Sequence, residues 1–208
     1  MKIKEPKKGY EKITKSKARL VAHLIGDGCV YNHKGDYNIK YEVVDKELLD
    51  LFFKDLLEVY GLIPFRGFTP SGKTQKLIPY VRLRSRRAYD DLMRFATYFS
   101  SDWKIKNTIM NSPLYIKREF LRAIFDDEGS VIPEGKKAII RLYSINYKGL
   151  KQVEKLLNEF EIMCIMRKGF GEKRNVFALT LKDICKFRKH IGFKLLRKNR
   201  RLDSFLNK

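Results

Sequence analysis

Residues 121–131 read LRAIFDDEGSV, and in this stretch three consecutive acids and a glycine follow an apolar segment. Neighbouring carboxylates repel one another, and negative charge at the C-terminus of a helix opposes the helix dipole. The chain has 45 Lys and Arg against 24 Asp and Glu, a net charge of +21, so the gathering of acids at one point needs a reason. Taken alone, such a cluster is most often a solvated turn.

The pattern occurs a second time near the start of the chain. Residues 20–30 read LVAHLIGDGCV, and in an alignment of the two stretches Asp27 matches Glu128 and Gly28 matches Gly129. An acid and a glycine that follow a matching apolar helix twice are hard to attribute to turns alone. We therefore interpret the chain as two copies of one structural unit, and this repeat decides the architecture.

Hydrophobic periodicity gives both halves the predicted order helix, two strands, helix, two strands, helix. The elements predicted in the first half are 16–26, 30–32, 38–43, 46–60, 65–68, 80–84 and 86–99. Those predicted in the second half are 113–127, 129–132, 137–144, 147–160, 163–168, 175–180 and 181–191. The predicted organisation is a basic segment (1–15), a first half (16–99), a linker (100–112) and a second half with a basic tail (113–208).

Small residues lie where the two matching helices would touch. Ala22 and Gly26 are four residues apart, and Ala123 stands at the place equivalent to Ala22. Four-residue spacing puts small side chains on one helix stripe and lets two backbones approach closely. Helices packed in this way bring their ends together, which predicts that Asp27 and Glu128 lie near each other.

Two neighbouring carboxylates in a basic chain suggest a hard divalent cation. Mg²⁺ takes oxygen ligands, usually one or two carboxylates together with waters and substrate phosphates. Ions held between paired acids stabilise the attacking and leaving oxygens of phosphoryl transfer. The excess of Lys and Arg indicates a polyanionic partner, with nucleic acid as the first candidate and an anionic membrane as the second.

Other classes find little support. No apolar run approaches the roughly 18 residues of a spanning helix, and the first residues do not form a secretory signal, so no membrane partner is expected. Cys29, Cys164 and Cys185 fit neither a disulfide framework nor a zinc spacing. They favour an intracellular location: cytoplasm or nucleoid in a prokaryote, or otherwise an organelle. Residues 67–74 match a P-loop pattern, but Pro79 leaves no room for the required helix, which indicates a hairpin turn.

The stretches LVAHLIGDG (20–28) and LRAIFDDEG (121–129) resemble the paired motifs of the LAGLIDADG homing endonucleases in their single-chain form. Motif spacing, element order and length extend the resemblance over the whole chain. It implies an α+β fold of two pseudo-symmetric αββαββα halves, with the motif helices packed together and two saddle-shaped antiparallel sheets on DNA. It also implies Mg²⁺-dependent cleavage of both strands across the minor groove at a long, asymmetric site, which leaves 3′ overhangs. Mn²⁺ is an expected substitute.

The resemblance also assigns roles to residues. Relatives often carry a basic residue near each metal site, after the third helix of each half, and Lys106 and Lys198 occupy those places. Both are expected to supply stabilising charge or to position water, with a phosphate contact or a solvated charge as the alternative. Asp27 and Glu128 are the expected catalytic acids, one per half. The predicted metal-site residues are Gly26, Asp27, Asp127 and Glu128.

The chain departs from the family pattern at two places. The seventh motif position, normally small, is Gly26 in the first copy but Asp127 in the second. We expect Asp127 either to loosen the helix contact or to lie at its solvent-exposed end. Some relatives carry Gln or Lys near the end of the second strand, where this chain has Val43 and Val44, which leaves fewer groups to organise water.

Strands of the predicted sheets have one polar face. Tyr80, Arg82 and Arg84 alternate with Val81 and Leu83, for example. Such side chains recognise base edges or hold phosphates, although any one-sided sheet exposes polar residues. The predicted DNA-contact residues are Tyr31, His33, Asn38, Lys40, Glu42, Arg66, Lys73, Tyr80, Arg82, Arg84, Lys137, Arg141, Tyr143, Arg167, Lys168, Lys173 and Arg174.

The expected partner is therefore double-stranded DNA, bound by a monomer because both halves lie in one chain. Two alternatives share the fold, namely an intron RNA maturase and a DNA-binding protein that does not cleave. Both Asp27 and Glu128 are present, which favours the enzyme, since a pure binder has no need for two acids near phosphate. A structural protein of the ribosome or chromatin would explain the charge but not the repeated motif.

Overall fold

The computed structural model describes residues 5–72, 75–169 and 175–206, and its elements follow the predicted order in both halves. The first half contains α1 (Lys15–Ile25), β1 (Gly28–His33), β2 (Asp36–Glu42), α2 (Lys46–Tyr60), β3 (Phe65–Pro70), β4 (Leu77–Arg84) and α3 (Arg86–Leu92). The connection contains β5 (Ala96–Thr97), β6 (Lys104–Ile105) and α4 (Asn107–Met110). The second half contains α5 (Leu114–Glu128), β7 (Gly129–Glu134), β8 (Lys137–Ser144), α6 (Tyr147–Asn158), β9 (Cys164–Lys168), β10 (Phe177–Leu181), α7 (Ile184–His190) and α8 (Leu196–Leu206).

Each half holds one four-stranded antiparallel sheet. The strand orders are β1-β2-β4-β3 and β7-β8-β10-β9, so the two sheets have the same topology. One set of alternating residues is buried, represented by Ile39 and Val81 in the first sheet and by Ile140 and Leu142 in the second. The other set stays wholly or partly accessible, apart from a few side chains that their neighbours cover. The predicted α+β class and the pseudo-symmetry of the halves are therefore confirmed.

The motif helices α1 and α5 pack against each other more extensively than any other pair of helices. Thr14 caps α1, where its side chain accepts a hydrogen bond from the backbone N–H of Lys17 at 3.1 Å. Ala22 and Ala123 are buried in the contact, as the small-residue pattern predicts. A Cβ added at Gly26 would lie 2.7 Å from Oδ2 of Asp127, so only glycine fits there.

Arg19 strengthens this central contact. Its guanidinium extends from α1 and lies 2.6 Å from a carboxylate oxygen of Asp55 in α2 and 2.8 Å from one of Glu119 in α5. The Asp55 side chain is almost wholly buried, so its pair with Arg19 is shielded from solvent. One planar cation with several donors thus links three helices.

The connection and the tail contain more structure than the sequence predicted. Residues 100–112, expected to be a linker, include β6 and α4, and Trp103, Ile105 and Ile109 are buried. The basic tail forms α8, where Leu202 is buried on one side of an otherwise charged helix. Both segments have few apolar residues, and most of these face the core, whereas Leu196 at the start of α8 is exposed.

Two helices are shorter than predicted. The helix expected to reach residue 99 ends at Leu92, because Ala96 and Thr97 pair with β6 instead. The last predicted helix begins at Ile184, since Leu181 completes β10 and the Asp183 side chain then accepts a hydrogen bond from the backbone N–H of Lys186.

Three smaller expectations can be compared with the fold. None of the helices in the described part of the chain is both long and apolar enough to cross a bilayer. The three cysteines are free. Pro70 pairs with Leu77 across β3 and β4, so the stretch that resembles a P-loop joins two antiparallel strands, as predicted.

Close packing of Trp103 on α6 leads to a stability prediction. A Cβ on Gly149 would lie 2.4 Å from Cη2 of Trp103, and the indole cannot retreat easily because it is buried. We expect Gly149→Ala to lower the free energy of unfolding by about 1–3 kcal/mol through overpacking, although alanine favours helix. Urea denaturation measures this loss. The exposed neighbour supplies the control Lys148→Ala, and equal stability of the two variants would contradict the prediction.

Candidate active site

The two predicted catalytic acids lie at the C-terminal ends of the paired helices. Glu128 is the last residue of α5, and Asp27 lies two residues beyond the end of α1. Asp27 is exposed and Glu128 is half-buried. Desolvation and then the negative charge of Asp27 raise the pKa of Glu128 to about 7. Desolvation and the charge of Asp127 raise the pKa of Asp27 to about 6, so the structure places both acids in one electrostatic site.

The third acid of the cluster, Asp127, has a different position from the one expected. Its side chain has no exposure and enters the contact between the motif helices. His23 Nδ1 lies 3.0 Å from one carboxylate oxygen, and the Tyr41 hydroxyl donates to the other at 2.6 Å. Asp127 therefore neither loosens the helix contact nor lies at its wet end, and its carboxylate is not open to a cation. The part of Asp127 in a metal site therefore stays a prediction, and its carboxylate is already bonded within the helix contact.

His23 completes this buried cluster from the first motif. Although burial lowers the pKa of its imidazole, the adjacent charge of Asp127 raises that pKa above its ordinary value. The ring lies 5.0 Å from that of Tyr41 and 6.3 Å from that of Phe52, measured between centroids. The sequence analysis did not single out His23 or Tyr41, although a polar residue on the apolar face of a motif helix was a usable signal.

Lys198 lies beside the acids, as predicted, but its ammonium is hydrogen-bonded to backbone carbonyl oxygens. Its ammonium donates to the carbonyl oxygens of Phe125, Asp126 and Asp127 and so caps α5. Desolvation lowers the pKa of Lys198, and its charge lowers the pKa of both Asp27 and Glu128. The cation therefore acts on the site through its charge.

Lys106 does not occupy the equivalent place in the first half. Its ammonium donates to the carbonyl of Met93, just beyond α3, and its backbone N–H donates to the carbonyl of Phe95 at 2.9 Å. The side chain is tied to the connection between the halves and does not cap α1. Lys106 and Lys198 were expected to hold equivalent places in the two halves, but they make different contacts.

Asp126 and Asp45 hold α8 against the site. Asp126 is buried and accepts hydrogen bonds from the backbone N–H groups of Lys194 and Leu195, and its burial raises its pKa to about 6. Asp45 pairs with Arg197 at 2.8 Å and contributes a further negative charge near Asp27. These contacts place the positive helix α8 next to the acids, and the sequence analysis missed the role of both carboxylates.

The available ligands fit a hard divalent cation. In residues 5–72, 75–169 and 175–206 no group of three or more His, Cys, Asp or Glu side chains is arranged to hold a metal. Asp27 and Glu128 nevertheless supply two carboxylates, and Mg²⁺ commonly completes such a set with waters and substrate phosphates. A cation bound there would relieve the repulsion and desolvation that raise the two pKa values. Gly26, the fourth predicted residue, lies directly before Asp27 and contacts Asp127.

Most predicted DNA-contact residues of the first sheet share one face, which we call the first open face. The Lys40 ammonium pairs with Glu42 and lies 4.4 Å from the ring centroid of Tyr80. Asn38 is buried beneath its neighbours. By strand register, the first open face carries Tyr31, His33, Asp36, Asn38, Lys40, Glu42, Tyr80, Arg82 and Arg84.

The second sheet has a corresponding second open face. The register pairs Arg141 with Thr180, and Tyr143 with Ala178, which in turn pairs with Arg167. A depression of about 270 Å³ lies on this face, and Arg141, Tyr143 and Arg167 line it. By register, the second open face carries Lys137, Arg141, Tyr143, Ala178, Thr180, Ile165 and Arg167.

Arg66 does not lie on the first open face. It pairs across β3 and β4 with the buried Val81, on the side that faces α2. Its guanidinium lies 2.6 Å from a carboxylate oxygen of Asp50 and 4.4 Å from the ring centroid of Phe53. The prediction that Arg66 contacts DNA is corrected, because its pairing with Val81 places its side chain on the side of the sheet that faces α2.

The register also separates Lys168 from its neighbour Arg167. Lys168 is opposite Phe177 on the other side of the sheet, at the end of β9, and only the edge of the depression brings it near the second open face. Lys73, Lys173 and Arg174 were also predicted to contact DNA, and all three lie outside the described residues.

The buried carboxylate of Asp127 leads to a second prediction. Asp127→Ala leaves a buried imidazole and hydroxyl without their partner, so we expect the free energy of unfolding to fall by about 3 kcal/mol. Chemical denaturation measures this value. Asp203→Ala breaks the surface pair with Arg188 and serves as the control, with an expected loss below about 1 kcal/mol. Similar losses in both variants would show that the buried cluster contributes little to the free energy of unfolding.

The raised pKa of Glu128 predicts how stability depends on pH without metal. Its ordinary pKa is 4.5 and its folded pKa about 7, so its ionisation destabilises the folded state progressively between these values and fully above them. Glu128→Gln should therefore be more stable than the wild type at pH 8 by about 2 kcal/mol, which discounts the full shift for solvent screening. The difference should vanish near pH 4. Melting in EDTA tests this, with exposed Glu58→Gln as the control; a gain that is the same at both pH values would refute it.

Comparisons with known proteins agree with this geometry. A LAGLIDADG-like domain model matches residues 116–192. No curated protein sequence matches the chain. Among solved structures, mesophilic variants of the homing endonuclease I-DmoI align over 92% of this chain and 98% of their own, at 18% identity and a TM-score of 0.68. The homing endonuclease I-WcaI aligns over 92% and 91%, at 15% identity and a TM-score of 0.67.

The fold also occurs in a protein that is not named as an endonuclease. Full-length DUF199/WhiA from Thermatoga maritima aligns over 97% of this chain but 62% of its own, at 16% identity and a TM-score of 0.60. At such identities the structural likenesses establish the fold. The chain thus has the two-half LAGLIDADG fold, and its second half contains a LAGLIDADG-like domain.

Proposed function

We propose that the protein is a site-specific endonuclease that hydrolyses double-stranded DNA with a divalent cation, Mg²⁺ or in its place Mn²⁺. The observation that carries the proposal is the pair Asp27 and Glu128, which meet at the ends of two packed helices with raised pKa values. Carboxylates in such a position on a chain of net charge +21 suit a cation and a phosphodiester.

The structural relatives support this proposal through what they bind. I-DmoI has been solved in complex with DNA and Mn and in complex with DNA and Ca, and I-WcaI bound to its DNA recognition sequence. The present chain aligns with I-WcaI over 92% of its length. The open faces of its two sheets are then the surfaces that would contact DNA.

In the proposed reaction, Asp27 and Glu128 hold the cation. When bound, a divalent ion supplies Lewis-acid stabilisation of the phosphate and favours deprotonation of water. Lys198 contributes positive charge at the C-terminus of α5 and fixes that terminus through three carbonyl oxygens. Asp127 remains in the helix contact and keeps the two halves in register. In this proposal the acids hold the cation beside the phosphodiester, and the cation and Lys198 balance its negative charge.

The two halves suggest the shape of the target. Each sheet contributes one open face, and the two faces carry different side chains. A monomer with two unlike faces would bind an asymmetric site that is long enough to reach both. The acids lie together between the halves, which is consistent with cleavage of both strands across the minor groove and with 3′ overhangs.

A DNA-binding protein of the same fold that does not cleave is the second candidate. The observation that favours it is the asymmetry around the acids, since Lys106 is bonded to Met93 and Val44 is exposed where some relatives carry a polar residue. The two candidates agree on the DNA-contacting faces and differ only in chemistry, so a cleavage assay separates them.

A cleavage selection on a random double-stranded DNA library in Mg²⁺ tests the proposal. We expect wild-type cuts to converge on one long asymmetric site with 3′ overhangs, and EDTA to abolish them. Glu128→Gln should bind the same site and reduce cleavage by at least about 100-fold, because one cation ligand is lost. Enrichment of bound but uncut DNA by the wild type would indicate the non-cleaving binder. Binding to structured RNA without any enriched DNA site would contradict both candidates.

A further inference from the structure

Two arginines on the second open face differ from Lys40 and Arg84 on the first. Arg82 on the first face also has no ion pair among the described residues, but its guanidinium lies against the rings of Phe65 and Tyr80. Lys40 is paired with Glu42, and Arg84 lies 3.2 Å from a carboxylate oxygen of Asp36. By contrast, within the described ranges no hydrogen bond or ion pair joins Arg141 or Arg167 to another group. A guanidinium without an internal partner can direct its accessible donors to a ligand.

Arg141 stands at the centre of the second sheet. It lies on the inner strand β8, directly opposite Ser130 on one side and Thr180 on the other. Its Nε and the Thr180 hydroxyl are both shielded from solvent, and neither has a hydrogen-bond partner in the described chain. Buried polar atoms are normally paired, so two unpaired atoms on adjacent strands mark this point of the sheet as unusual.

The surface around the two arginines is concave, and none of the described residues that line it is acidic. The depression of about 270 Å³ is bordered by Arg141, Tyr143, Arg167, Lys168 and the small residue Ala178. Arg141 and Arg167 are two strands apart and offset by two residues, which places their backbones about 12 Å apart. At a rise of about 3.4 Å for each base pair, two side chains so far apart face different base pairs.

We propose that Arg141 and Arg167 each recognise a guanine in the half-site that the second sheet covers, at two different base pairs. The planar fork of arginine matches the O6 and N7 acceptors of guanine in the major groove. Thr180 is a positioning residue, since its hydroxyl can accept a hydrogen bond from Nε of Arg141 and leave both terminal nitrogens directed outward. This inference rests on the proposed DNA-binding function and adds to it a base preference.

Binding selection without cleavage tests the inference. The full-length Glu128→Gln protein is used to enrich bound sequences from a random double-stranded library, alone and together with Arg141→Lys or Arg167→Lys. Lysine keeps the positive charge but loses the fork. We expect the parent to prefer guanine at two positions on one side of the site. Arg141→Lys should reduce that preference by about tenfold or more at one position, and Arg167→Lys at the other.

Two further variants test whether the change in guanine preference is specific to Arg141 and to the second open face. Thr180→Val removes the hydroxyl with little change of shape and should weaken guanine preference at the position that Arg141→Lys affects and at no other. Arg84→Lys alters the first open face, where the arginine is paired with Asp36, and should leave both positions unchanged.

The possible outcomes separate this inference from the proposed function. A specific site with unchanged guanine preference in both lysine variants, or without guanine on that side, would overturn the inference and leave the proposed function intact. Failure of the Glu128→Gln protein to enrich any DNA site would overturn both.

Discussion

The contact between α1 and α5 determines how the rest of the molecule is arranged. Gly26 leaves the space that the Asp127 carboxylate occupies, and His23 and Tyr41 supply its hydrogen bonds from the other half. A carboxylate taken out of water without such partners would be costly, so only the helix register that aligns these groups is favourable. Because the proposed catalytic acids follow at the helix ends, this same register fixes their relative position.

The neighbourhood of the acids is less symmetric than the backbone. Lys198 caps the second motif helix, and α8 is held beside it through Asp126 and through the pair of Arg197 with Asp45. Among the described residues no lysine caps the first motif helix in this way, since Lys106 is bonded to the carbonyl of Met93. One cationic helix from the second half therefore lies near both acids, and the charge of its Lys198 acts on both of them.

The sequence predicted the element order and the paired motif helices correctly, because both depend on local periodicity and on the repeat. Predictions from the sequence failed for contacts that depend on the path of the chain between the elements. Lys106 and Lys198 follow the ends of the predicted third helices by the same number of residues, but in the structure the first lies in a folded connection and the second in α8. The prediction for Arg66 failed because the pairing partner of a strand residue, here Val81, decides which face of the sheet its side chain occupies. For Asp127, the signal was available in His23, a polar residue within the apolar stretch of the other motif.

Asp127 also makes the contact surfaces of the two halves chemically different. In the alignment of the motifs its counterpart is Gly26, and the counterpart of His23 is Ile124. Two copies of the second half facing each other would bring two carboxylates together beside isoleucines, with no imidazole to receive them. The second half is therefore unsuited to pair with a copy of itself, and its motif helix requires the partner that the first half supplies. A chimera that exchanges one half with a relative would have to transfer this small set of residues as a unit.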